Sequence, residues 1–233
     1  GDVLVAQVEN DSESFVAGLN KITGGNLWKI DRPKSANWTT ATVRRDKAGQ
    51  EQVLLQSGKG IHAVNPASGK VEWHYADGAA TIPSSALAGD MLFVPSHGLT
   101  ALKLGADGKS FEQKWRSGRL RPGTASPLVH GQKVYSLNNA GVLACADVDS
   151  GNRLWQLRLD GPFGGSPVVA DNHMYIFSEE GLAQVVDLTA PEGNVVGKMD
   201  LGEMIQCSPA VSNGALFVRS NGHIWKISRK TRL

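Results

Sequence analysis

The clearest hydrophobic pattern in the chain runs from residue 166 to residue 200, "SPVVADNHMYIFSEEGLAQVVDLTAPEGNVVGKMD". Four short apolar runs are separated by polar turns, and alternation within the runs has the period of two that marks half-buried strands. The pattern predicts strand A at about 166–170, B at 173–178, C at 182–188 and D at 195–200. Proline at the start of A fits, because the first residue of a strand can do without its N–H in the ladder. No segment places apolar residues at helical spacing.

The plan repeats. Segments 81–98, 124–141 and 206–222 each open with Pro or Ser-Pro, then run through an apolar stretch, a polar turn, an alternating strand and a turn ending in glycine. Residues 37–60 follow it with a longer hairpin. Between them recurs a turn followed by tryptophan: "GLNKITGGNLWKI" (18–30), "AVNPASGKVEWHY" (63–75), "ALKLGADGKSFEQKWRS" (101–117) and "CADVDSGNRLWQL" (145–157). Trp28, Trp73, Trp115 and Trp155 lie 45, 42 and 40 residues apart. A fifth copy, 184–199, keeps the turn but has Gly197 where tryptophan is expected.

A forty-residue unit of four antiparallel strands cannot cover its own faces, and a series of such units is the pattern of β-propeller blades. Counting B strands predicts six units, the first without A and the last, ending "HIWKISRKTRL", without D. The expected fold is all-β, one propeller domain over residues 1–233, either six-bladed or an arc of a seven- or eight-bladed ring. Gly1 fits the scar of a removed tag, so the chain reads as a possible segment of a longer protein.

Composition narrows the function. Hydrophobic residues at 41% are ordinary for a globular chain, and 27 glycines suit many tight turns. A net charge of +2 gives no electrostatic reason to expect a nucleic-acid partner. No apolar run is long enough to span a membrane as a helix, and "GDVLVAQVEN" is an alternating strand rather than a signal peptide. Cys145 and Cys207 match neither a disulfide framework nor a zinc spacing and read as small buried side chains.

The element A-x-D/N-x-x-[TS]-G-x-x-x-W, present at 63–73 and 145–155 and nearly so at 18–28, resembles the tryptophan-docking repeat of PQQ-type propellers over almost the whole chain. That superfamily has an enzymatic branch, quinoprotein dehydrogenases that hold pyrroloquinoline quinone and calcium, and a non-enzymatic branch of BamB-like scaffolds. The resemblance implies a bacterial periplasmic or secreted setting. It also implies that each tryptophan stacks on the neighbouring blade. Gly24, Gly69 and Gly151 should supply the left-handed backbone of the turns, with Asn20, Asn65 and Asp147 accepting N–H groups across them.

Chemistry is sparse. Asp147, Asp149, Gly151 and Asn152 look like the start of a calcium loop, but the glycine comes too early and no glutamate follows. The sister turns carry too few carboxylates, so the loop reads as a turn. The paired cysteines, calcium ligands and catalytic aspartate of a quinoprotein cannot be placed, so no cofactor, metal or catalytic residue is expected. PQQ with calcium in a central funnel stays the alternative. The six histidines never share a metal-binding spacing, although His62, His97 and His223 fall near B–C turns. "GPFGGSP" (161–167) precedes no helix, "SGKG" (57–60) lacks the rest of a P-loop, and no G-x-S-x-G frames a serine.

Antiparallel strands send the D–A and B–C loops to one end of each blade. Those loops carry Trp38, Arg119, Arg121, Phe163 and Met204, residue types enriched at interfaces. The expected function is a non-catalytic scaffold that binds a protein or peptide through this face. The rival reading for Trp38 and Phe163 is that they plug blade cores.

Overall fold

The computed structural model describes residues 1–228; the tail 229–233, the end of the last expected unit, lies outside the described residues. Among the described residues all regular structure is strand, in six antiparallel sheets that follow chain order. The first sheet has three strands, β1 (Val3–Val8), β2 (Phe15–Asn20) and β3 (Asn26–Asp31). The second has β4 (Thr42–Arg45), β5 (Glu51–Ser57), β6 (Gly60–Val64) and β7 (Val71–Tyr75). The third has β8 (Ala86–Ala88), β9 (Met91–Val94), β10 (Leu99–Leu104) and β11 (Phe111–Ser117). The fourth has β12 (Leu128–His130), β13 (Lys133–Leu137), β14 (Val142–Asp147) and β15 (Arg153–Arg158). The fifth has β16 (Val168–Ala170), β17 (His173–Phe177), β18 (Leu182–Asp187) and β19 (Asn194–Asp200). The sixth has three strands, β20 (Ala210–Ser212), β21 (Ala215–Arg219) and β22 (Ile224–Ser228). The six blade units of the repeat are present, with A missing from the first.

By compactness the chain divides into Gly1–Arg119, which holds sheets one to three, and Leu120–Leu233, which holds sheets four to six. In each unit the core lies between neighbouring sheets. In the first unit, Leu54, Ala63 and Trp73 of sheet two meet Leu92, Leu102 and Leu104 of sheet three. In the second, Tyr135, Cys145 and Trp155 of sheet four meet Met174, Ile176 and Val186 of sheet five.

The outermost strand of every sheet that has a D strand carries a β-bulge at one register. Trp28, Trp73, Trp115, Trp155 and Gly197 oppose Gly18, Ala63, Ala101, Cys145 and Val185, and the pairing shifts by one residue immediately beside each. A bulge bends the strand, raises its twist and re-aims a side chain. Trp28 is aimed out of its own sheet: its Nε1–H donates to the Pro66 carbonyl at 2.8 Å. Its indole lies between Gly18 and Gly69, and a Cβ on Gly69 would sit 2.7 Å from it. Trp155 likewise lies against Gly193, in the C–D turn of the next sheet. Trp73 packs on Phe111 at 5.1 Å between centroids. The indole N–H groups of Trp73 and Trp155 are buried without a partner, so the polar contact made by Trp28 is not a property of the repeat.

A second inter-sheet link is made by the serines that precede strand A. Ser84 Oγ accepts the Thr40 N–H, Ser166 Oγ accepts that of Ser126, and Ser208 Oγ accepts that of Ser166, all at 2.8–2.9 Å. Each acceptor stands two residues before its A strand. These serines do more than start a strand.

Gly24, Gly69 and Gly151 have φ of 72°, 72° and 69°. Gly24 has open space around it, whereas Gly69 faces Trp28. Alanine at either position should lose roughly 1–2 kcal/mol for a Cβ in the left-handed region. Gly69→Ala should lose about 1–3 kcal/mol more, the range for overpacking. Urea denaturation measures both losses, and in a Trp28→Ala background the difference between the two positions should vanish.

Candidate functional site

The first D–A loop, residues 32–39, has no regular structure, yet its shape is fixed by buried polar contacts. Arg32 Nε donates to Glu9 Oε1 at 2.6 Å, and both side chains are almost fully buried. Its Nη1 donates to His62 Nδ1 at 3.0 Å and its Nη2 to the Gln56 carbonyl at 3.3 Å. Asn37 Nδ2 donates to the other Glu9 oxygen at 2.7 Å and to the Gln56 carbonyl at 2.8 Å. The Ala36 N–H donates to Asp11. Breaking such a buried ion pair from one side costs on the order of 3–5 kcal/mol, so the loop is held firmly.

Gln56 also holds the next D–A loop. Its Nε2 donates to the carbonyls of Ala80 and Pro83, and its Oε1 accepts the N–H and hydroxyl of Ser85. The backbone N–H of Trp38 donates to the Thr81 carbonyl at 2.8 Å. These bonds present the Trp38 side chain 68% exposed, with Ile82, 48% exposed, on the adjoining loop. A large aromatic and an aliphatic side chain are displayed on backbone that cannot fold over them.

Beneath the loop is a cleft of about 480 Å³ lined by Ile30, Arg32, Pro33, His62, Val71 and His74 among others. His62 and His74 are register partners on β6 and β7, and their rings stack 3.9 Å apart at 11°. Nearly parallel rings direct their in-plane lone pairs along parallel planes, so they do not converge on one ion. His62 must accept from Arg32, which makes it the neutral Nε2–H tautomer. Burial, with further contributions from His74 and Arg32, pushes it down to about 4.

The remaining expected face residues fall differently. Arg119, at the end of the first unit, and Arg121, in the second, are exposed. Met204 is 49% exposed, its carbonyl accepting the Asn221 N–H while its neighbour Ile205 is buried. Phe163 is a correction: it is 1% exposed and belongs to the cluster of Tyr135, Trp155 and Leu159, so its ring offers nothing to a partner. Its glycine neighbours let the loop turn the ring inward, the core-plugging reading.

The Asp147 loop is a capped turn: Asp147 Oδ1 accepts from the Ser150 N–H and hydroxyl, and the Gly151 N–H closes onto the Asp147 carbonyl. Asn20 and Asn65 cap their turns the same way. Cys145 is buried and its thiol pushed up to about 11 by desolvation, which leaves it protonated and inert. Cys207 is only half-buried, Sγ against the Arg219 carbonyl, because it lies in the loop before β20. The arginine, glutamate and histidine cluster escaped sequence reasoning, since its members are 23 to 30 residues apart with no shared spacing.

Six sheets of three or four antiparallel strands in chain order, four of them with a tryptophan at one repeated register, define a β-propeller protein. The family model described as outer membrane protein assembly factor BamB matches residues 1–92 and 106–196, and the chain belongs to that family. BamB from Moraxella catarrhalis superposes with a TM-score of 0.75 at 16% identity, over 94% of this chain and 67% of that one. The computationally designed Ika8 protein superposes with a TM-score of 0.68 at 10% identity, over 97% of this chain and 69% of that one. No curated protein matches by sequence.

Because protonation of His62 is disfavoured in the folded state, the unfolded chain binds the extra proton between the ordinary histidine range and about pH 4. Stability should be full above about pH 6.5, the ordinary histidine value, fall as pH drops from there towards 4, and receive no further loss from this group below that. The charged and titratable neighbours are Arg32, Glu9, His74, Lys59 and Asp31. Melting temperatures of wild type and His62→Gln across pH 4–7 check this, the variant showing the shallower slope over that window.

Proposed function

We propose that this chain is a non-catalytic, protein-binding propeller that serves outer-membrane protein assembly from the periplasm, and that it engages a protein or peptide partner through the D–A loops bearing Trp38 and Ile82. The observation that carries the reading is Trp38. A tryptophan 68% exposed, on a loop pinned by the buried Arg32–Glu9 ion pair and by the Gln56 and Thr81 carbonyls, is costly to maintain without a use. Rigid aromatic anchors of this kind lose little entropy on binding and dominate interface energetics. Membership of the BamB family supports the setting and the protein partner. The reading assigns no cofactor.

A photo-crosslinking residue at position 38 tests the contact in cells, with position 22 as control. Ile22 is 82% exposed but lies in a C–D turn. Position 38 should cross-link to a component of the outer-membrane assembly machinery and position 22 should not; equal yields, or none at 38, overturn the assignment. With that component purified, Trp38→Ala should weaken binding by at least about 30-fold, the effect of a hot-spot residue worth 2 kcal/mol, with an unchanged melting temperature.

A further inference from the structure

The register that carries tryptophan in four sheets carries Gly197 in the fifth, and the structure has a hollow there. A niche of about 190 Å³ is lined by Tyr175, Phe177, Val185, Met199, Leu216 and Ile227, with Gln184 and Lys198 contributing polar atoms. It belongs wholly to the second unit.

What fills the equivalent place elsewhere is visible. Trp28 packs on the cluster containing Val53 and Val64, which are register partners in the following sheet. Trp73 packs with Leu92 and Leu102, again partners in the following sheet. Trp155 packs with Met174 and Val186. The corresponding pair in the sheet after Gly197 is Leu216 and Ile227, which line the niche. At this register an apolar pair meets an indole three times and meets a glycine once.

The glycine is not needed by the backbone. Gly197 lies outside the left-handed region, and a Cβ there would make only ordinary contacts, 3.7 Å from Val185. At Gly69 and Gly193, by contrast, an indole excludes a side chain. An apolar cavity of roughly 150 Å³ is already large enough to take up an aromatic ring from solution.

We propose that the Gly197 niche is a receptor site for a tryptophan side chain donated by a partner polypeptide, which completes the inter-sheet contact that this chain leaves open. The site shares with the proposed function the premise of a protein partner but none of its surface. Lys198, paired with Asp160 at the rim, leaves the mouth polar around an apolar floor.

The test titrates methyl-labelled protein with indole and, separately, with N-acetyl-tryptophanamide, which carries backbone on both sides of the side chain. Both probes should shift the methyl signals of Val185, Met199, Leu216 and Ile227 saturably while leaving Val53 and Val64 still. Gly197→Trp should raise the melting temperature and weaken both probes at least about tenfold, a loss of about 1.4 kcal/mol; Gly197→Leu serves as a smaller plug should the tryptophan variant fail to fold. Absence of localised shifts in the wild type, or undiminished binding in the plugged variant, overturns the site. Binding of indole without N-acetyl-tryptophanamide overturns the polypeptide donor. Neither probe involves Trp38, so this result and the cross-linking result stand or fall separately.

Discussion

Everything in this fold depends on a bulky side chain of one sheet finding a place in the next. A sheet of three or four short strands has two faces and cannot bury either alone. The bulge turns a tryptophan out of its own sheet, and for Trp28 and Trp155 a glycine of the following one, Gly69 and Gly193, lets it approach. An indole that buries about 200 Å² is worth at most roughly 5 kcal/mol at 25 cal/mol per Å². That is comparable to the whole net stability of many domains, so the spacing of glycine and tryptophan governs the molecule more than any strand's propensity does. The serine ladder at the start of the A strands adds hydrogen bonds at a second point of three junctions, between sheets two and three, four and five, and five and six.

The same architecture explains why the display surface is stiff. Loops 32–39 and 80–85 have no ladder of their own: the Gln56 side chain takes up the Ala80 and Pro83 carbonyls and the Ser85 N–H, while the Arg32 and Asn37 side chains anchor the first loop to Glu9 and to the Gln56 carbonyl. Gln56 is central because its side chain serves one loop and its backbone carbonyl the other. Sheet two therefore sets the positions of Trp38 and Ile82 together. Binding through such a surface does not carry the entropy cost of ordering a floppy loop.

The repeat made much of the fold legible in advance. Counting the repeated B strands gave the number of blade units and the strand order, and tryptophans spaced about forty residues apart, each after a capped Asx turn, marked Gly197 as the copy that departs from the pattern. Local chemistry writes such features, because a turn and its cap lie within a few residues. The bulge was not legible, since it concerns which residues face each other across strands. Nor was the serine ladder, whose partners are about forty residues apart, or the Arg32–Glu9–His62 network, which pairs three loops and strands with no common motif. Phe163 shows the same limit from the other side: flanked by glycines in a loop it resembles an exposed residue, and only the packing of sheets four and five gives it a hole to fill.

The bulges carry one more consequence. β3, β7, β11, β15 and β19 are each the outer edge of their sheet, with a row of N–H and C=O groups unmatched on the far side. A straight apolar edge of that kind is a template onto which another chain can add a strand, the first step of edge-to-edge aggregation. The extra residues inserted there (Leu27, Glu72, Lys114, Leu154 and Val196) break the register that an incoming strand would need. The same bulge, whether it carries a tryptophan or Gly197, thus keeps five open edges from recruiting strangers.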